Sequence, residues 1–356
     1  MHKIFSRAED LRKKSQYVKS RELFQKALKG YASKEDLQGI LDCQMAIGDV
    51  SRMTGDFDLA LKHYINAIET AQQLKDPVSI ADAQINISLT FRGRGDWKNA
   101  MTVAKKALSF YMKQNDVPAA AFALWAIAGT LRIKGDIPAA ISTYNESLQL
   151  FKGLKSKPST GYCLCGLGGT HRIAGLFKES LKYYQSANRL FAGIKDRFGM
   201  AYSYCGTGNA YRMLGDYKKA LACFSRASAI YTKIGDRVSY AYTVWSIGTT
   251  HKMLGNLDEA KANFKQAEGF FRQTRDPRGI IYTRLGMAEL ALLEGKKKSA
   301  VKRAGEAVAD ARRYGFSVER CHAEVLQSYL TGKIKTGCYR KLGLKLDYTE
   351  PPFNIP

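Results

Sequence analysis

The strongest constraint on the fold is a glycine that recurs every forty residues without insertion. It stands at Gly55, Gly95, Gly135, Gly175, Gly215, Gly255 and Gly295. A second, acidic column closes most units, at Asp36, Asp76, Asp116, Asp196, Asp236 and Asp276. Repetition at a fixed period of this size is the sequence signature of a solenoid, in which each unit packs mainly against its neighbours.

These two columns predict where helices end and begin. Glycine adopts the left-handed backbone that terminates a helix, and an Asp or Asn after it caps the next helix. Each unit is therefore predicted to be a helix, a short turn and a second helix, for example over residues 197–214 and 217–234. We predict seven such units over residues 36–315, a capping helix pair in 1–35, and a capping helix with an irregular tail in 316–356.

Small and aromatic residues follow a fixed order inside the predicted helices. One unit carries Gly208, Tyr211, Ala220, Phe224 and Ala227. Small residues let helices approach closely, and aromatic rings fill the gaps between them. The pattern resembles the tetratricopeptide repeat, whose usual unit has about 34 residues, in a forty-residue variant similar to that of Pins-type scaffolds and kinesin light chains. The resemblance implies an all-α, right-handed superhelical solenoid of helix pairs that displays a binding surface.

The resemblance also implies that the first helix of each unit lines the concave side, so that the repeated columns of this helix describe a binding face. A column of cations is formed by Arg52, Arg92, Arg132, Arg172, Arg212 and Lys252. Aromatic and polar residues of the same stripe are Tyr162, Tyr202, Tyr242, Tyr282, Trp125, Trp245 and Asn209. We predict that the cations form one track that pairs with negative charge on an extended ligand, and that the other residues contact the same ligand.

Structural interpretations stand beside these predictions. The arginines could pair with the turn aspartate four residues on, as Arg212 with Asp216, although Arg172 is followed by Leu176 at that place. The tyrosines could pack between helices. The stretch GYCLCGLGGTHR, residues 161–172, has four glycines within nine residues. Either backbones approach closely there, or the array bends, or space is left for a ligand.

The motifs of common catalytic sites are absent, and so is the paired spacing of zinc ligands. We therefore predict a protein that is not an enzyme and that needs no cofactor and no metal. The formal net charge of +24 favours an acidic partner. We predict a scaffold or adaptor that grips an extended acidic segment of a partner protein, since arginine binds carboxylates in two-point fashion. The alternatives are single-stranded nucleic acid, notably RNA, in the same groove, and a small anionic ligand near Gly129 and Gly169.

Localisation and the tail complete the sequence-based expectations. The sequence predicts no membrane span and no secretory signal, and seven scattered cysteines indicate reduced thiols, so we expect a cytoplasmic protein. The basic segment LTGKIKTGCYRKLGLKL and the proline-containing residues after it are predicted to cap the last hydrophobic face. The alternative for this tail is a docking peptide for another protein.

Overall fold

The computed structural model describes all residues, 1–356, and contains eighteen helices and no strand. An N-terminal pair is formed by α1 (His2–Lys13) and α2 (Tyr17–Ala32). Seven further pairs follow: α3 (Leu37–Met53) and α4 (Phe57–Gln73), α5 (Pro77–Gly93) and α6 (Trp97–Lys113), α7 (Val117–Lys134) and α8 (Ile137–Gly153), α9 (Lys157–Ile173) and α10 (Phe177–Ile194), α11 (Arg197–Met213) and α12 (Tyr217–Ile234), α13 (Arg237–Met253) and α14 (Leu257–Gln273), α15 (Pro277–Leu293) and α16 (Lys297–Tyr314). The chain ends with α17 (Ser317–Leu330), α18 (Gly337–Lys341) and a tail without regular structure.

The prediction of an all-α solenoid of helix pairs is confirmed, and α11 and α12 begin and end within one residue of the predicted bounds. The seven recurring glycines have φ between +76° and +94°, which is the left-handed backbone expected at a helix end. Many of the acidic residues accept a hydrogen bond from a backbone N–H in the first turn of the following helix, as Asp236 does from Ser239 at 3.0 Å. The repeated glycine and acidic residues therefore set the helix boundaries.

The turn between units contains a residue other than glycine in left-handed backbone, which the sequence pattern did not predict. At Lys75, Asn115, Lys155, Lys195 and Arg275 a residue other than glycine takes φ between +52° and +58°. Each of these residues directly precedes the closing position of its unit. Left-handed backbone at such residues is uncommon, so the surrounding helices impose it.

The glycines of α9 are explained by close packing, which decides between the three interpretations given above. A Cβ atom built at Gly166 would lie 2.3 Å from the Tyr144 ring, and one at Gly168 would lie 2.8 Å from the Tyr184 ring. At Gly161 the neighbour is Phe191, at 2.7 Å. The glycines thus accept aromatic rings from the neighbouring second helices, and α9 continues unbroken through them.

We expect Gly166→Ala to destabilise the protein by about 1–3 kcal/mol, because the added methyl group collides with a buried ring. Gly193→Ala is the matched control, since Gly193 lies inside α10 and a Cβ there would meet nothing within 4 Å. This control should stabilise the protein by about 0.4–1 kcal/mol. Thermal unfolding midpoints of both variants test this account, and equal shifts in the same direction would contradict it.

The superhelix closes on itself after about five units, which the repeat pattern did not predict. Arg237 Nε donates to the Thr54 carbonyl at 3.2 Å, across 183 residues of chain. Trp97 Nε1 donates to the Tyr314 carbonyl at 3.0 Å, across 217 residues. Early turns thus pack directly against later units, and a Cβ atom at Gly95 would lie 2.8 Å from the Phe316 ring. We call this contact between early and late units the seam.

Residues after α16 cover the end of the array and then enter it. Tyr339, Leu344, Phe353 and Ile355 are buried in the largest hydrophobic cluster, together with residues of α15 and α17. On the way the chain contacts the fourth full unit, where Lys345 N donates to the Ala174 carbonyl at 2.8 Å. This placement is what the cap interpretation of the tail expects.

One expectation from the sequence needs correction. Cys321 and Cys338 form a disulfide that joins α17 to α18, so these two cysteines are not reduced thiols, whereas the other five are free. The two cysteines are seventeen positions apart, and this spacing belongs to no recognised signature.

One helix, α7, is long and apolar enough by composition to span a membrane. It lies between neighbouring helices, and eight of its residues are buried, so core packing accounts for its composition.

Candidate functional site

The inner face of the superhelix surrounds a cavity of about 510 Å³. Its wall is contributed mainly by the first helices of the seven pairs, α3, α5, α7, α9, α11, α13 and α15. These helices face inward because their small residues pack against the aromatic rings of the second helices behind them. The first helices of the units therefore line one shared space.

Most residues predicted to bind a ligand line this cavity. They are Arg52, Arg92, Arg132, Arg172, Trp125, Trp245, Tyr162, Tyr202, Tyr242, Tyr282 and Asn209. Arg212 and Lys252 do not line it, because they are 0% and 2% exposed and their charged groups contact the C-terminal tail. The prediction of one open track of six cations is therefore wrong: four cations face the cavity and two are covered.

A second periodicity decides which cations are neutralised. In four cases the cation lies against the residue 37 positions later, on the first helix of the next pair. These cations are Arg92, Arg132, Lys252 and Arg12, which stands forty residues before Arg52. At the two ends of the array this position is acidic, so Arg12 pairs with Asp49 at 3.5 Å and Lys252 pairs with Glu289 at 2.8 Å. Asp49 also lies 4.0 Å from Arg52. The alternative pairing with the turn aspartate four residues on is found at none of the six cations.

In the middle of the array the same position is uncharged. It is Gly129 for Arg92, Gly169 for Arg132 and Asn209 for Arg172. No carboxylate lies within 4.0 Å of these three guanidinium groups. We call them the central arginines.

The central arginines are also poor in hydrogen bonds. The Nε atoms of Arg132 and Arg172 are buried without a partner, and Arg92 makes a single long contact of 3.4 Å with the Ala126 carbonyl. The Arg92 guanidinium lies 4.9 Å from the centre of the Trp125 ring, which gives it a cation–π contact. Burial lowers the pKa of Arg92. Two buried Nε donors without an acceptor, next to the weakly bonded Arg92, form a site that favours an anion.

The carboxylates at the cavity wall do not neutralise them. Asp236 and Asp276 accept backbone N–H groups at the start of α13 and α15, so they act as helix caps. Burial raises the pKa of Asp236 to about 6, and it also raises the pKa of Asp276. A fifth cation of the wall, Arg278, pairs with Glu319. The free positive charge of the cavity is thus concentrated on the central arginines.

The aromatic residues have a structural contact and a face toward the cavity at once. The hydroxyl groups of Tyr162 and Tyr242 donate to Asp196 and Asp276 of the following unit, both at 2.8 Å. The indole of Trp125 donates to the Tyr162 carbonyl at 3.3 Å, and its ring stacks on Phe122. Trp245 is only 5% exposed and repeats the same hydrogen bond to Tyr282, at 3.2 Å. Packing between helices and a role in lining the cavity are therefore compatible.

The tail contacts were missed by sequence reasoning. Lys252 Nζ donates to the Phe353 carbonyl at 2.8 Å, and Arg212 Nη2 donates to the Ile355 carbonyl at 2.9 Å. Pro356, next in the chain, lines the cavity. The repeat pattern does not predict these contacts, because the tail lies outside the repeat. No group of three or more His, Cys, Asp or Glu side chains is arranged to hold a metal ion.

Solved structures with a similar fold are helical repeat proteins. The apo form of RapI aligns with a TM-score of 0.56 and 14% identity, over 76% of this chain and 97% of that one. The Rap conjugation gene regulator of the plasmid pLS20, in complex with the Phr* peptide, aligns with a TM-score of 0.65 and 14% identity, over 79% of this chain and 76% of that one. A signal transduction ATPase with a tetratricopeptide repeat sensor from Pyrococcus horikoshii has a TM-score of 0.50 and 12% identity, over 90% of this chain and 52% of that one.

At these identities the structural similarity establishes the fold. No curated protein sequence matches the chain. The family model described as tetratricopeptide repeat matches three stretches, residues 40–113, 119–192 and 199–273, which together are more than half of the chain. The matched stretches contain the helix pairs that build the cavity wall. The chain belongs to the tetratricopeptide repeat family.

Proposed function

We propose that the protein is a non-enzymatic adaptor whose interior groove binds an extended acidic segment of a partner protein. The observation that carries this proposal is the charge of the central arginines. They face the cavity without carboxylates, whereas the equivalent cations at both ends of the array are paired with Asp49 and Glu289. A carboxylate-bearing ligand would supply the missing acceptors.

The surroundings of the central arginines suit such a ligand. The apolar wall around them includes Phe122, Trp125 and Tyr202 and can hold the aliphatic part of an acidic side chain. Arginine forks bind carboxylates through two parallel hydrogen bonds, which become stronger where water is excluded. Because the seam closes the superhelix laterally, a bound segment would run along the superhelix axis. The fold of the pLS20 regulator, which was solved with a peptide, is compatible with this mode of binding.

A second candidate is a small anionic ligand, and the size of the cavity favours it. A volume of about 510 Å³ is within the range of about 300–1,000 Å³ that is typical of small-molecule sites. The guanidinium groups of Arg92 and Arg132 lie directly against Gly129 and Gly169, where a side chain would displace them. The region named for this alternative in the sequence therefore coincides with the unneutralised charge.

One set of binding measurements separates these ligands. Fluorescence anisotropy compares a labelled glutamate-rich peptide, the same peptide with glutamine at each acidic position, and a single-stranded oligouridylate of equal charge. We expect the glutamate peptide to bind with a strong dependence on salt, and the glutamine peptide not to bind. Tighter binding of the oligouridylate would overturn the proposal in favour of nucleic acid. Binding of citrate but of neither polymer would favour the small-ligand candidate.

The cytoplasmic location expected from the sequence stays a prediction.

A further inference from the structure

Residues 353–356 occupy one end of the interior without regular structure, after a bend at residues 350–352. Phe353 and Ile355 are 1% and 3% exposed, although no helix holds this segment. They lie against α11, α13 and α15, and Pro356 forms part of the cavity wall. The tail and the central arginines therefore share one continuous groove.

The groove holds this segment mainly through its main chain. Glu289 accepts the Phe353 N–H at 2.5 Å, and Lys252 donates to the carbonyl of the same residue at 2.8 Å. Arg212 donates to the Ile355 carbonyl at 2.9 Å. Contacts of this kind recognise an extended backbone, whatever its side chains.

Two side chains add selectivity. The Asn354 amide donates to the Arg212 carbonyl at 2.8 Å and accepts from the Arg212 guanidinium. The Phe353 ring is packed among apolar neighbours, with the Tyr348 ring 5.2 Å away. A ligand for this place therefore needs an aromatic residue followed by asparagine, or residues that can make the same contacts.

We infer that Arg212, Lys252 and Glu289 form a second binding subsite, which takes an extended polypeptide with an aromatic–Asn sequence and which the chain fills with its own tail. We call it the tail subsite. It rests on the proposed function in one respect, since a partner segment that continues from the central arginines along the groove has to displace the tail. The tail is then an internal competitor of the partner.

The inference is tested in the full-length chain with Phe353→Ala and Asn354→Ala together, which release the tail. The control is Thr349→Ala with Glu350→Ala, at exposed positions of the same tail. The probe is a labelled peptide with the sequence of residues 347–356. We expect no binding to the wild type, where the attached tail has an effective concentration on the order of millimolar. We expect saturable binding to the double variant, and at least about tenfold weaker binding when Arg212→Gln is added, because hydrogen bonds to a charged group are lost.

Failure of this inference and failure of the proposed function give different results. A folded double variant that does not bind the tail peptide overturns the tail subsite, whatever happens with the glutamate-rich peptide. Binding of the tail peptide without any binding of the glutamate-rich peptide supports the tail subsite and contradicts the acidic partner. If circular dichroism shows that the double variant is unfolded, Asn354→Ala alone takes its place in the same assays. It removes the contacts between the Asn354 side chain and Arg212 and leaves Phe353 packed.

Discussion

Replacing Arg92, Arg132 and Arg172 together with glutamine should weaken binding of a glutamate-rich segment by about 100-fold or more, because each hydrogen-bonded charge contributes about 1.5–3 kcal/mol and 1.4 kcal/mol corresponds to a factor of ten. The melting temperature should hold or rise. These three guanidinium groups have no carboxylate partner in the folded protein, so the substitutions break no ion pair. Burial lowers the pKa of Arg92, so removal of its charge also relieves the cost of burying it. Anisotropy titrations and thermal unfolding measure the two effects.

The matched control is Arg189→Gln with Arg197→Gln and Arg340→Gln. It removes the same formal charge from exposed positions that have no ion pair. We expect this control to leave the affinity within a few-fold of the wild type and to retain most of the salt dependence. A central variant that binds normally and melts at a much lower temperature would mean that the arginines are structural. Equal loss of binding in both variants would mean that only overall charge matters.

The second large effect concerns the ion pair of Lys252 and Glu289. Its side chains are 1% and 0% exposed, and Glu289→Ala leaves a buried ammonium group without its partner. We expect a loss of about 3–5 kcal/mol in stability, the usual cost of breaking a buried pair. Replacing both residues with methionine should be less damaging than Glu289→Ala alone, since no unpaired charge then stays buried. Thermal unfolding midpoints of the single and double variants test this.

Glu294→Ala is the control for that prediction. Glu294 follows the end of α15 and pairs with Lys261 at 3.1 Å and with Lys296 at 2.6 Å. All three side chains are partly exposed, at 21%, 35% and 63%. Such a pair contributes only about 0–1 kcal/mol, so this variant should melt close to the wild type. Similar shifts for Glu289→Ala and Glu294→Ala would contradict the assignment of Lys252 and Glu289 to the buried core.

Sequence reasoning reached the fold because the information is local. Gly215 ends one helix and Asp216 caps the next through contacts within four residues, so the pattern alone predicts them. The inward direction of Arg132 or Tyr202 follows from the same helical register. The ion-pair partners of Arg12 and Lys252 also lie at a fixed distance, 37 residues on, and Asp49 and Glu289 could have been identified at that spacing.

Contacts outside the repeat could not be predicted in this way. The seam depends on a small rotation per unit that accumulates over about five units, and no single residue encodes its total. The contacts of the tail are not predicted by the repeat either, because Phe353 and Asn354 belong to no repeated column. Their partners lie 64 and 142 residues away. Because of these long-range contacts, four of the six predicted cations face the cavity, namely Arg52 and the three central arginines, and the other two are covered.

The seam also bears on how fast a ligand leaves. In an open solenoid a bound segment can dissociate laterally by losing its contacts one after another. Here Arg237 and Trp97 join units that are far apart in the chain, so a segment inside has to slide out along the axis or wait until the seam opens. The rate of ligand release is then set by the rate at which the seam opens. A ligand of modest affinity therefore leaves slowly.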